Sequence, residues 1–208
     1  MPTLRALLSA HGKSERYFRH PALSTGPTQE AKTTFQDFLR SRGYRVAPVT
    51  VENADYEFND VLSDAIIKHE RNEAEQAKTE YLAYTIKAFR YVEVQSEKLF
   101  GREIPQVLLI HDNEINSEVL DTLLTGLESR GYRFVPLDDV LADPAYGSQE
   151  AFAGNLASCY LCWNNRLLAV GKSPEYEGVP IQPSRRIPIQ PPEWVTKKFA
   201  EIRQRTAN

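Results

Sequence analysis

Cysteine is scarce in this sequence: Cys159 and Cys162 are the only two among 208 residues. They form a single CxxC. A structural zinc site needs four ligands, and no second CxxC or nearby histidine supplies the remainder. The strand-to-helix setting of a redox CxxC is missing too, so two buried, reduced thiols on a helix are the expected state. An excess of positive charge is also lacking, with 25 Lys and Arg against 28 Asp and Glu and a net charge of -3. Without a broad basic field, nucleic acid is not a favoured partner. No apolar run approaches the roughly 20 residues of a membrane span, so none is expected. The opening stretch MPTLRALLSAHGK lacks the long apolar segment of a signal peptide, and no export route is expected from it.

What is present is the composition of an ordinary globular chain, 41% hydrophobic and 25% charged, long enough for one sizeable core. One stretch organises it. Gln106 to Glu114 reads QVLLIHDNE: Val107 to Ile110 form a short apolar run of the kind buried on both faces of a parallel sheet. The run stops at His111, Asp112, Asn113 and Glu114, and a helix pattern follows from Asn116, which reads as its N-cap. Ligands and catalytic groups gather where parallel strands end. A histidine there can donate or accept a proton near neutral pH; a hydrogen-bonded structural role is the alternative.

The rest of the chain alternates similarly. Leu4, Leu7 and Leu8 sit at helical spacing before Gly12. Tyr17 to His20 reads as a strand stopped by Pro21. Gly26 and Pro27 open a helix whose stripe is Ala31, Phe35, Phe38 and Leu39, and Tyr44 to Val51 reads as the next strand, ending in Glu52, Asn53, Ala54, Asp55 and Tyr56. A helix carrying Val61, Leu62, Ala65 and Ile66 follows, with a junction near His69. A long one then carries Tyr81, Tyr84, Ala88, Tyr91, Val92 and Leu99. Tyrosines at this spacing read as amphipathic core side chains whose hydroxyls reach the surface, rather than as a sugar platform. Val119, Leu120, Leu123, Leu124 and Leu127 build the stripe of the helix after His111.

Ser41-Arg42-Gly43-Tyr44-Arg45 recurs as Ser129-Arg130-Gly131-Tyr132-Arg133, a repeated helix end, glycine cap and strand start. This predicts an α/β barrel or sheet, although such joints are common local solutions. Beyond Asp138 the pattern weakens to a short helix near Asp139 to Ala142, a helix within Phe152 to Val170 carrying Leu161 and Trp163, a proline-rich strap from Ser173 to Pro192, and a charged helix over Glu193 to Arg205 anchored by Trp194. Two regions follow: 1–146, and a C-terminal extension over 147–208.

The segments YFRHP, STG, RGYRVAPVTVENADYEF, LLIHDNEIN and RGYRFVPLDDVLADPAY, in that order and spacing, resemble the later part of the polysaccharide deacetylase, or NodB homology, family. The resemblance covers about Leu4 to Tyr146. It implies a partial, distorted (β/α) barrel lacking its first strands, and a metal-dependent hydrolase that cleaves carbon–nitrogen bonds in N-acetylated carbohydrates. It further implies that Arg19, in an Arg-x-Pro motif with Pro21, orients the catalytic carboxylate. His111, spaced from Leu108 as in the family's Leu-x-x-His motif, would be the general acid that protonates the departing amine, and Asp55 would orient the imidazole.

The sequence departs from that family early. A Thr-Phe-Asp-Asp segment, supplying the base and one metal ligand, and a His-x-x-x-His segment, supplying two more, are both missing. The four histidines, His11, His20, His69 and His111, include no pair four residues apart. A divalent metal such as zinc is expected for a complete family domain, but this chain alone supplies no ligand set for it. The chain therefore reads as the acid half of a deacetylase site, completed by a separate chain carrying the N-terminal half, with N-acetylated carbohydrate as substrate. The alternative is a noncatalytic remnant or carbohydrate-binding module. Family members are often exported or attached to the cell envelope, and this sequence shows no route there.

Overall fold

The architecture follows from where apolar stripes are long enough to bury. The computed structural model describes residues 2–148, 152–154, 159–181 and 189–206. In chain order, α1 (Pro2–Ala10) leads to β1 (Tyr17–Phe18), a 3-10 turn (Pro21–Leu23), α2 (Gln29–Ser41) and β2 (Arg45–Val46). Next come α3 (Asp55–Ile67), α4 (Arg71–Phe100), α5 (Glu114–Ser129), α6 (Leu137–Leu141) and a second 3-10 turn (Pro144–Gly147). The chain continues with α7 (Cys159–Ala169), the hairpin β3 (Glu175–Tyr176) and β4 (Val179–Pro180), and α8 (Glu193–Thr206).

This overturns the expectation of a (β/α) barrel of the deacetylase type. Among the described residues the fold is mostly helical, 61% helix against 5% strand, with only two tiny sheets. β1 pairs in parallel with β2, β3 pairs antiparallel with β4, and a single parallel bridge joins Val51 to Leu108. Local hydrogen bonding explains why the apolar runs do not extend. Pro48 has no N–H to offer a ladder just after β2. The Val107 N–H donates to the Thr50 side-chain Oγ1 at 2.7 Å rather than to a carbonyl, while the Thr50 and Val51 N–H groups both converge on the Val107 carbonyl. Backbone groups satisfied this way no longer propagate a sheet. The second Gly-Tyr-Arg joint fares likewise: Gly131 closes α5 in the left-handed conformation, φ 93°, as Gly43 does after α2, yet no strand follows, and Phe134 and Val135 are exposed.

The core lies instead around α4, where Tyr81, Tyr91, Ala88 and Val92 are fully buried against Phe58, Val61 and Leu62 of α3, Ile115 and Leu123 of α5, and Tyr160 of α7. α3 and α4 meet at His69, whose φ of 60° turns the chain between them. The tyrosine hydroxyls do not reach the surface as the spacing suggested. Tyr81 donates to Asn116, Tyr84 to the Ile189 carbonyl and Tyr91 to Asn164, so each polar tip is paired inside.

Several element starts shift. α2 begins after Pro27, with Thr28 as N-cap accepting from the Ala31 N–H at 3.1 Å. Its buried side chains are Lys32 and Leu39, while Phe35 and Phe38 are exposed. α5 is capped by Asn113 rather than Asn116. α8 seats Val195, fully buried, while Trp194 donates its indole N–H to Glu80 at 2.7 Å. Residues 182–188 of the expected strap, and 155–158 of the expected helix before α7, lie outside the described residues. Both cysteines are free thiols, Cys159 buried and Cys162 half-buried.

Candidate functional site

Asp55 and His111 are 56 residues apart in sequence and in contact in the fold. Asp55 is the first residue of α3, where unpaired N–H groups and the helix dipole favour a carboxylate. Ala54 turns into the helix in the left-handed conformation, φ 52°. His111 follows the Val51–Leu108 bridge, which fixes the spacing between its loop and the loop carrying Asp55.

The carboxylate is 1% exposed and fully engaged. Its Oδ1 lies 2.7 Å from His111 Nδ1, and its Oδ2 accepts from the His111 backbone N–H at 2.7 Å and from Asn116 Nδ2 at 2.7 Å, with Asn113 Nδ2 at 3.4 Å. A carboxylate only accepts, so the imidazole hydrogen sits on Nδ1 and Nε2 is the ring nitrogen available to a reacting group. The His111 side chain is 52% exposed, which lets a solute reach it. Tyr56 meets the ring edge-on, with centroids 6.4 Å apart, and Phe199 packs against Tyr56 at 5.8 Å.

A second layer holds the first. Asn116 donates also to the His111 carbonyl at 3.0 Å, and its Oδ1 accepts from the Tyr81 hydroxyl at 2.6 Å, which in turn accepts from Asn53 Nδ2 at 2.7 Å. Burial, aided by the Asp55 charge, pushes the Tyr81 hydroxyl well above its ordinary pKa, so it remains a neutral donor. Asn53, Tyr81 and Asn116 were not singled out from sequence as site residues. Asn116 carried a signal: it shares a helix face with Val119, Leu120 and Leu123, and a polar residue in an apolar stripe needs a buried partner.

Arg19 is bonded to another part of the chain. Its guanidinium donates to the Pro48 carbonyl at 3.4 Å, its Nε is buried without a partner among the described residues, and burial holds its pKa below the ordinary guanidinium value. No hydrogen bond or ion pair joins it to Asp55 or His111 among the described residues.

A catalytic metal does not fit the residues at this site. Among the described residues no group of three or more His, Cys, Asp or Glu side chains is placed to hold a metal ion. Beside His111, the Asp55 carboxylate has both oxygens occupied by hydrogen bonds. The arrangement can deliver or accept a proton at His111 Nε2 with its ring orientation fixed. No helix among the described residues is long and apolar enough to cross a membrane. No protein-family model, curated protein or solved structure matches the chain.

Proposed function

We propose that the chain supplies the acid half of a polysaccharide deacetylase-like site, acting in hydrolysis of the carbon–nitrogen bond of an N-acetylated carbohydrate. The observation that carries the reading is the Asp55–His111 pair: a buried carboxylate holding Nδ1 of a half-exposed imidazole at 2.7 Å. Water adds to the acetyl carbon, the carbon–nitrogen bond breaks, and the proton from His111 Nε2 passes to the departing amine. Asp55 keeps the ring in the donating orientation and stabilises its charged form. The reading rests on this pair and on the motifs around it, independently of any barrel. The base and metal ligands come from a separate chain, because the residues around His111 offer no such set.

The test is acetate release from a chito-oligosaccharide by this chain mixed with a companion that carries Thr-Phe-Asp-Asp and His-x-x-x-His segments. Activity is expected only in the mixture, and His111→Ala should lower it by about 10²-fold or more, the usual worth of a positioned general acid. Equal activity of the His111→Ala mixture would sink the assignment.

One observation favours a second reading, a carbohydrate-binding module without catalysis. Tyr56, 47% exposed, stands beside His111 and is backed by Phe199, and an exposed aromatic face beside hydrogen-bonding groups suits a sugar ring. Saturable binding of chito-oligosaccharide that Tyr56→Ala abolishes, with no hydrolysis in any mixture, selects this reading over the first.

A further inference from the structure

A cavity of about 120 Å³ lies apart from the Asp55–His111 pair, between α7, the segment after β2 and the turn after β1. Helix α7 contributes Cys159, Cys162, Trp163 and Arg166, the i, i+3, i+4, i+7 spacing of one helix face. Two of them are pinned to the opposite wall: Trp163 Nε1 donates to the Thr50 carbonyl at 3.0 Å, and Cys159 Sγ lies 3.3 Å from the same oxygen. Leu23, Val46, Ala47 and Val49 complete an apolar interior. A dry cavity of about 150 Å³ accepts benzene, so this one is near the size of a single ring.

The charged residues that line it share one sign. Lys32 and Arg166 line the cavity, and no described Asp or Glu does. Lys32, 4% exposed, donates to the Phe152 carbonyl at 2.6 Å. Arg166 is half-buried with its Nε shut from solvent and without a partner among the described residues. An adjoining open depression shares both cations and adds Arg40 and Arg45, which are paired with Asp37 and Asp138. The cationic side of the cavity thus faces the way in. His20, 8% exposed, holds a hydrogen bond with the Ser24 backbone, and burial pushes its pKa down so the ring is neutral. Its Nε2 is buried without a partner among the described residues. An apolar pocket lined by residues that carry two buried polar atoms unpaired among the described residues, His20 Nε2 and Arg166 Nε, the latter part of a guanidinium, has the make-up of a ligand site.

We propose that this cavity binds a small aromatic carboxylate, its ring in the apolar interior beside Trp163 and its carboxylate against Arg166 at the mouth. The site is independent of the Asp55–His111 pair and of the deacetylase reading. Benzoate and its neutral counterpart benzamide differ in the charge the site selects. The chain has two tryptophans, whose indole N–H signals report separately in a ¹H–¹⁵N spectrum of the full chain.

Benzoate is expected to move the Trp163 signal saturably and leave Trp194 in place, with benzamide about tenfold weaker, the return on one charge-assisted hydrogen bond at a half-exposed site. Arg166→Gln should remove that preference while leaving benzamide affinity and the circular dichroism spectrum as in wild type. The proposal is overturned if neither probe produces a saturable Trp163 shift, if the two bind equally to wild type, or if Arg166→Gln keeps the preference. Should that variant not fold, nuclear Overhauser contacts between benzoate ring protons and the Trp163 indole decide the matter in wild type: their presence at saturation is expected, and their absence overturns it.

Discussion

Asp55 and His111 share two hydrogen bonds, one to the ring and one to the backbone, and differ in almost everything else. Asp55 is buried and accepts from Asn116 and Asn113 as well, so Asp55→Ala strands the His111 N–H and the Asn116 amide together. A loss of about 2–4 kcal/mol in urea denaturation is expected. His111 gives up only a half-exposed ring, and His111→Ala should cost under about 1 kcal/mol. Equal losses for the two variants would show that the ring, too, is chiefly a structural residue. Glu57, on the turn after Asp55, behaves differently. Burial raises its carboxyl above the ordinary value, against a smaller opposing effect from the Tyr56 hydroxyl 3.1 Å away. The folded state therefore binds this proton more tightly than the unfolded chain does. The resulting stability is present below the ordinary carboxylate pKa and is lost as pH rises through the raised one. Glu57→Gln removes that dependence. Its stability should match wild type near about pH 4 and exceed it increasingly towards neutrality, and a gap constant with pH would refute the assignment.

At the level of elements, the site is a junction of three helices. α3 brings Asp55 by its first residue, α5 brings Asn116 in its first turn, and α4 brings Tyr81 from its side. Asn116 bonds both of the others, and the Tyr81 hydroxyl ties Asn116 to Asn53, just ahead of α3. Tyr81→Phe keeps the ring packed against Phe58 and removes the hydroxyl, leaving two buried amides each short of a partner. A destabilisation of about 1–3 kcal/mol is expected. Since the amide of Asn116 also positions Asp55, the same variant should move the His111 ring resonances; unchanged resonances would mean that the second layer does not set the imidazole.

Across the whole molecule, long amphipathic helices were legible from sequence and sheets were not. The stripe Tyr81, Tyr84, Ala88, Tyr91, Val92 repeats often enough to specify α4 on its own. The runs at 44–51 and 107–110 are short, and a short apolar run does not reveal whether its backbone will pair with a neighbour or with a side chain such as Thr50. The partnership of Asp55 with His111 was legible only by resemblance, because a contact across 56 residues leaves no local trace. The cavity by α7 is illegible for a related reason: the CxxC predicts two reduced thiols on a helix, but not which wall the helix face carrying Cys159, Cys162, Trp163 and Arg166 will stand against.

The wrapping of α4 also sets an order of events during synthesis. The Tyr84 hydroxyl waits for the Ile189 carbonyl, 105 residues further on, and Tyr91 for Asn164, 73 residues further on. Val195 and Phe199 of α8 then close over the same core. As the chain emerges, α4 appears early with its greasy side uncovered, and nothing made before residue 159 can cover the part that α7 will occupy. Completion of the core is therefore deferred until the final helices are available, and through that interval the nascent chain carries a sticky, helix-long surface that other chains and chaperones can reach.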